Sequence, residues 1–181
     1  MAQEQTQKNK KLIALLKDFE SGNIEKQLEA IKALKVHGNE TIIEPLVNEL
    51  CLTKSNDLKA EIVDVLNNAK STKVPEKLIY CLQQEKYKSV QQILLASIWN
   101  SNLDYRKYLA QIVQITLKGE LLDALECLTI IENFEEIPSE ESINEALVLL
   151  GNFLHENKNG SPKNDLLIEI GIVLKKMNDS L

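Results

Sequence analysis

The chain has 181 residues, of which 44% are hydrophobic and 27% are charged, and it contains only six glycines and four prolines. This composition is typical of a folded protein and excludes collagen-like, low-complexity and mostly disordered chains. The formal net charge of −6 comes from 21 basic and 27 acidic residues. The acidic excess lies in the C-terminal half, and such a surface disfavours nucleic acid as a ligand because it repels phosphates.

The N-terminal segment 1–11 is polar, and the apolar stretch 12–16 is too short for a signal-peptide core or a membrane span. We therefore expect a cytoplasmic protein that makes no membrane contact, with a disordered tail at 1–7 and one folded domain at 8–181. Cys51, Cys81 and Cys127 are far apart in the sequence and have no histidine at ligand spacing. They are expected to be buried, reduced thiols, so no metal or cofactor site is predicted.

Apolar residues recur at intervals of three and four from Leu12 onward, which is the period of amphipathic helices. Gly22, Gly38 and Gly119 each follow a segment of helical length, where a glycine can take the left-handed conformation that ends a helix. Ser161 followed by Pro162 is a typical helix start. The sequence predicts an all-α protein of ten helices, near 8–20, 24–36, 40–52, 56–68, 74–85, 88–100, 104–118, 120–132, 139–155 and 163–178.

The even-numbered helices share an apolar pattern at offsets 0, 4, 5 and 8, and the odd-numbered helices repeat at a similar pitch. The last position of the pattern recurs at spacings of 32, 32, 30 and 46 residues, at Leu34, Leu66, Ile98, Leu128 and Leu174. Two helices in each repeat of this length predict an α-solenoid, in which each hairpin buries the apolar face of its neighbour. The five antiparallel hairpins are expected near 8–36, 40–68, 74–100, 104–132 and 139–178.

Two consecutive segments carry a family resemblance: 42–50 reads IIEPLVNEL and 56–66 reads NDLKAEIVDVL. Together they resemble a HEAT repeat of the kind also found in phycobilisome-lyase-type proteins, including the proline inside the first helix. The resemblance covers 24–132 well and 139–178 more loosely. It implies an armadillo-type, right-handed α–α superhelix whose second helices line a concave face. HEAT repeats usually open the second helix with a basic residue, and the corresponding positions here are Gln27, Lys59, Gln91, Leu121 and Leu167. We therefore expect the Asp–Arg ladder between repeats to be missing and apolar packing to hold the repeats together.

The sequence contains no phosphate-binding glycine loop, HExxH motif, EF-hand loop or GxSxG motif. His37 and His155 fall near predicted helix C-termini, where a positive charge is favoured, and neither has a nucleophile nearby in sequence. We therefore predict a non-enzymatic scaffold or adaptor that binds a protein or peptide. The alternatives are a HEAT-like enzyme, either a chromophore lyase or a DNA glycosylase, and a self-associating structural unit.

The positions of the second helices that point away from the predicted core supply the candidate binding residues. Trp99, the only tryptophan, lies at the margin of that face. Its neighbours there carry acidic or polar side chains, which predicts a basic or mixed-charge partner. The predicted partner-binding residues are Asp64, Trp99, Asn100, Asp123 and Glu126. Two alternatives stay open: Trp99 is buried at the seam between repeats, or the acidic segment 132–145 is the docking surface instead of a solvated loop and helix start.

Overall fold

A computed structural model describes residues 2–158 and 160–181, without the side chains of 2–6, 8 and 9. In that part of the chain all regular structure is helical, and the ten predicted helices are confirmed. The helices are α1 (Ala2–Phe19), α2 (Ile24–His37), α3 (Ile43–Leu52), α4 (Asn56–Asn67), α5 (Val74–Leu82), α6 (Gln91–Asn100), α7 (Leu109–Lys118), α8 (Leu121–Glu132), α9 (Glu140–Glu156) and α10 (Pro162–Asn178).

The helix boundaries differ from the prediction mainly at N-termini. Helix α1 begins at Ala2, so its backbone is helical through most of the segment 1–7 where we expected a disordered tail, and Met1 lies outside the described residues. Short 3-10 helices at Glu40–Ile42, Glu85–Val90 and Arg106–Tyr108 precede α3, α6 and α7. The sequence pattern could not separate them from the α-helices, because one tight turn hardly shifts the apolar period.

Capping hydrogen bonds, backbone conformation and lack of space explain which residues occupy several helix ends. Ser161 accepts a hydrogen bond from the Asn164 backbone at 3.2 Å, and Pro162 occupies the first turn, as predicted. Gly22 has φ of 72° and takes the expected left-handed conformation. That expectation is wrong for Gly38 and Gly119, whose φ values are −70° and −88°. Position 38 has no room for a side chain, because a Cβ on Gly38 would lie 2.5 Å from the Leu34 carbonyl oxygen.

The contacts between Cα atoms divide the chain into two compact units, Met1–Val90 and Gln91–Leu181, here called unit 1 and unit 2. Within unit 1, α1 pairs with α2 and α3 pairs with α4. Helix α2 also packs on α4, and α3 packs on α5 and on the 3-10 helix Glu85–Val90. The second helices α2 and α4 are therefore neighbours, and so are the first helices α3 and α5. The core of the unit is aliphatic with one phenylalanine at its centre, and includes Phe19, Ile31, Leu34, Leu46, Leu58, Ile62, Leu66 and Leu78.

Unit 2 has the same organisation. Its hairpins are α7–α8 and α9–α10; α6, α8 and α10 lie side by side, and α9 packs on α7. Its core includes Leu94, Leu95, Ile98, Tyr105, Leu109, Ile112, Cys127, Ile130, Ile143, Leu150, Ile170 and Leu174. Helix α8 thus has α6 and α10 on its flanks and α7 behind it, which leaves its fourth side open to solvent.

The repeat pattern predicts the buried positions well on most second helices. Leu34, Leu66, Ile98 and Leu174 are buried as expected. On α8 the prediction is only partly right. Ala124 is buried as expected, but Leu125, assigned to the core, is 46% exposed and Leu128 is half-buried. The rest of the buried side consists of Asp123, Cys127, Ile130 and Ile131. Helix α8 is apolar on most of its circumference, so the repeat pattern of apolar offsets fits more than one rotation of this helix about its own axis.

The thiols follow the prediction in part. All three cysteines are free thiols; Cys81 and Cys127 are buried, whereas Cys51 is only half-buried. Burial raises the pKa of Cys81 and of Cys127 to about 12, because a thiolate loses its hydration in the core.

Polar contacts connect successive second helices at a spacing close to the repeat length. In unit 1, Lys35 on α2 donates to Glu61 on α4 at 2.5 Å. In unit 2, Trp99 on α6 donates to Glu126 on α8 at 2.8 Å. We expected apolar packing alone to hold the repeats together, and these contacts show that polar pairs other than Asp–Arg contribute as well.

Candidate interaction surface

Trp99 lies in the last turn of α6 and is fixed by a carboxylate on the adjacent helix. Its indole N–H donates to Glu126 Oε2 at 2.8 Å, and the Gln92 amide donates to Glu126 Oε1 at 3.3 Å. The Trp99 side chain is 38% exposed. The structure therefore places Trp99 and Glu126 in one cluster at the edge of the α6–α8 pair, with part of the indole open to solvent.

Asp123 does not belong to this exposed cluster, contrary to the sequence prediction. It is 6% exposed and accepts hydrogen bonds from the Gln91 amide at 2.9 Å and from the Glu120 backbone N–H at 2.7 Å. The second bond is half of a capping box, in which Glu120 and Asp123 satisfy each other's backbone N–H groups at the start of α8. A Cβ on Gly119 would collide with the Asp123 carboxylate. Asp123 is therefore a structural residue of the α6–α8 contact.

The remaining two predicted residues have local partners. Asn100 is exposed, and its side-chain amide donates to the Ala96 carbonyl one turn earlier at 2.9 Å. Asp64 lies on α4 in unit 1 and forms an ion pair with Lys35 at 2.7 Å. Hydrogen bonds to Asp64 and then Glu61 raise the pKa of Lys35. Asp64 thus shares one lysine with Glu61 across the α2–α4 contact and keeps about half of its side chain exposed.

Large aliphatic side chains are exposed on each of the three adjoining second helices of unit 2. Leu122 and Leu125 are one turn apart on α8, and Ile168 and Ile172 are one turn apart on α10, beside it. Ile93 on α6, on the other flank of α8, is also exposed. We call these five residues the apolar face. Clusters of exposed aliphatic side chains on adjoining elements mark sites of protein contact, whereas isolated ones do not.

The apolar face lies in the acidic part of the chain. Residues 91–181 contain 14 acidic and 7 basic residues, whereas residues 1–90 contain 13 acidic and 14 basic residues. Glu126 on α8 and Glu169 on α10 are at least partly exposed next to the apolar positions of their helices. Lys175 and Lys176 lie in the last turn of α10, where they complement the helix dipole. The acidic character is therefore strongest on the α6 and α8 side.

A cleft of about 420 Å³ lies beside Trp99, between the segments that follow α6 and α8. Arg106 connects the two segments by donating to Asp104 at 2.9 Å and to Glu136. This guanidinium lowers the pKa of Asp104. The cleft is lined by Trp99, Ser101, Asn102, Leu103, Asp104, Tyr105, Arg106, Asn133, Phe134, Glu135 and Glu136.

The acidic segment 132–145 spans two elements and the connection between them. Glu132 ends α8, and Glu140 and Glu141 lie in the first turn of α9 behind the N-cap Ser139. Carboxylates in a first turn stabilise the helix N-terminus. Part of this segment therefore has a local structural role, and its residues 133–136 line the cleft.

No three His, Cys, Asp or Glu side chains of the described residues are grouped closely enough to hold a metal ion. Within the same residues, no helix combines the length and apolar character needed to cross a bilayer. Comparison of the chain with protein-family models, curated proteins and solved structures found no match.

Sequence reasoning missed the apolar face, although a signal for it was present. The segment 121–131 reads LLDALECLTII, which places apolar residues on nearly all sides of one helix. A helix of this kind contacts more than one partner or is fully enclosed. Since α8 has neighbours on three sides only, its fourth apolar side is the one left exposed.

Proposed function

We propose that this protein is a protein-interaction module that binds its partner through the apolar face of unit 2. The observation that carries the proposal is the exposure of Leu122, Leu125, Ile168, Ile172 and Ile93 on three adjoining helices. Its role is in binding and not in catalysis, because the side chains gathered on this surface are mainly aliphatic. Trp99, Asn100 and Glu126 border the surface, whereas Asp123 and Asp64 are occupied by structural contacts.

The energetics favour a partner that adds contacts beyond the apolar face. Covering the exposed part of each of the five side chains contributes about 1 kcal/mol, since full burial of such a side chain is worth roughly 1.5–3 kcal/mol. The total of about 5 kcal/mol is near the lower limit of the cost of association, which is about 4–15 kcal/mol. Stable binding therefore requires the polar border of the face as well.

We further propose a right-handed, HEAT-like α-solenoid of helical hairpins, with the second helices on its concave face. Within each unit, the packing of second helix on second helix and first on first supports this arrangement. Equivalent contacts also support it: Lys35 pairs with Asp64 and Trp99 donates to Glu126, and the two contacts join the same two positions of the repeat pattern. The proposed setting is a cytoplasmic adaptor that needs no cofactor.

Site-specific photo-crosslinking in the source cell tests the binding surface. A photoreactive amino acid is placed at Leu125 or Ile168, and at Val148 as the control, because Val148 is 61% exposed but lies on α9, a first helix. We expect the same protein to be crosslinked from positions 125 and 168 and not from 148. The purified partner should then bind the unmodified chain but not Leu125→Glu. Equal products from all three positions, or products containing only a second copy of the chain, would contradict the proposal.

A further inference from the structure

The backbone of the apolar face determines which conformation a partner segment can have. The face is made of α6, α8 and α10, whose N–H and C=O groups are paired within their own helices. An extended peptide lying there would leave its own backbone groups without partners, whereas a helix satisfies its own. Leu122 and Leu125 are exposed one turn apart on α8, and Ile168 and Ile172 are exposed one turn apart on the neighbouring α10. The groove between two packed helices accommodates the apolar side of a third helix.

The charge around the face determines the polar side of that helix. Helix α6 has no charged side chain, and α8 has the three acids Asp123, Glu126 and Glu132 and no base. Helix α10 has two acids and three lysines, so the negative charge of the face lies on its α8 side. Arg106, at the cleft on this side, is compensated by Asp104 and Glu136.

The cleft beside Trp99 extends the acidic border at the C-terminal ends of α6 and α8. Glu135 is exposed at its rim and has no ion-pair partner among the described residues. The indole of Trp99 forms part of its wall, and its orientation is held by the hydrogen bond to Glu126. A lysine or arginine side chain entering the cleft would meet both an aromatic ring and a carboxylate, two groups that attract cations.

We infer that the partner segment is a basic amphipathic helix, whose apolar side packs on the apolar face and whose lysine or arginine side chains reach Glu126 and the cleft beside Trp99. This inference rests on the proposed function, since it uses the same surface. It specifies the conformation and charge of the partner, which the proposed function does not.

Three designed peptides of about 18 residues test the inference on the full chain. Each has leucine at positions i, i+3, i+4 and i+7, with lysine, glutamine or glutamate at the polar positions, and none contains tryptophan. Trp99 is the only tryptophan of the protein, so its emission reports occupancy of this region, and calorimetry gives the affinity. We expect the lysine peptide to bind at least tenfold more tightly than the glutamine peptide, and its affinity to fall several-fold between about 50 and 200 mM salt. The glutamate peptide should not bind.

Two kinds of variant separate the contributions of the surface and of its charge. Leu125→Glu should abolish binding of the lysine and glutamine peptides, although it adds a negative charge that would strengthen purely electrostatic attraction. Glu135→Gln should weaken the lysine peptide at least threefold and leave the glutamine peptide unchanged. Glu145→Gln removes the same charge from an exposed site on α9 and is the matched control, with no expected effect. Retained helical circular dichroism and melting temperature show that each variant is folded.

The outcomes distinguish the inference from the proposed function. If the glutamine peptide binds as tightly as the lysine peptide and Leu125→Glu abolishes both, the apolar face is a binding surface but the basic helix is wrong. If no peptide binds, or if Leu125→Glu leaves binding unchanged, the inference is also wrong, and the crosslinking at positions 125 and 168 then decides the proposed function independently. If Glu145→Gln weakens binding as much as Glu135→Gln, the attraction is a general effect of charge and the inference is overturned.

Discussion

Replacing Asp123 with alanine tests directly whether this residue lies in the structure or on a binding surface. The substitution removes the acceptor of two hydrogen bonds, one from the Gln91 amide and one from the Glu120 backbone N–H. A buried hydrogen bond is worth about 0.5–1.5 kcal/mol, and a donor left unsatisfied in a half-buried place costs about 1–3 kcal/mol. After the substitution, the Glu120 N–H can donate to water, whereas the half-buried Gln91 amide has less access to water. We therefore expect a loss of about 2 kcal/mol in the free energy of unfolding.

Denaturant titration and thermal melting measure this loss. For a chain of 181 residues, a loss of about 2 kcal/mol lowers the melting temperature by about 4–8 °C. Asp123→Asn should recover about half of the loss, since its amide oxygen still accepts one of the bonds. Asp165→Ala is the control, because Asp165 is an exposed acid in the first turn of α10, and we expect it to cost less than about 1 kcal/mol, mainly through the helix dipole. Equal small losses for Asp123→Ala and Asp165→Ala would refute the burial of Asp123 and restore it to the exposed face.

Three further predictions concern the core, the glycine next to Asp123 and the thiols. Ile98→Ala should lower the free energy of unfolding by about 2–4 kcal/mol because Ile98 is a buried repeat position. Lys32→Ala, at an exposed position on α2, is the control and should change the free energy of unfolding by less than about 0.5 kcal/mol in the same titration. Gly119→Ala should displace the Asp123 carboxylate. In a double-mutant cycle, Gly119→Ala/Asp123→Ala should therefore lose less stability than the sum of the losses of the two single variants. Additive losses would show that the two residues do not interact. The Cys127 pKa is raised to about 12 in the folded protein against about 8.5 when unfolded. The unfolded state therefore releases its proton first, and this one thiol should lower stability by roughly 2 kcal/mol between pH 8 and 10. Cys127→Ala should remove the Cys127 part of the pH dependence and leave the similar part that comes from Cys81. A thiol reagent should also label half-buried Cys51 before Cys81 and Cys127.

The helices could be predicted from the sequence because each signal for them is local. The three–four spacing of apolar residues, the N-cap at Ser161 and the left-handed Gly22 depend on residues within a few positions of one another. Gly38 and Gly119 look the same in the sequence as Gly22, but what they require is space: for the Leu34 carbonyl beside Gly38 and for the Asp123 carboxylate beside Gly119. Their role could therefore be read only from the folded structure.

The candidate site was harder to predict because its residues are selected by the rotation of one helix. The pattern that works on α2, α4 and α6 assigned Leu125 to the core and Asp123 to the surface, and both assignments are wrong. Local sequence does not decide between two apolar sides of a helix, since both fit the helical period. Trp99 and Glu126 are 27 positions apart, and their hydrogen bond follows from the packing of α6 on α8.

The apolar circumference of α8 has a consequence for how the chain reaches a single folded state. A helix with leucine or isoleucine on most sides gains similar hydrophobic free energy in several rotations, so apolar burial alone selects none of them strongly. The Asp123 carboxylate, however, meets the Gln91 amide beside Gly119 in one rotation only, and a rotation that buried it elsewhere would leave a carboxylate without partners, which is costly. A polar contact inside the fold thus favours the rotation in which Leu122 and Leu125 remain outside. The proposed binding surface is specified in part by a buried residue.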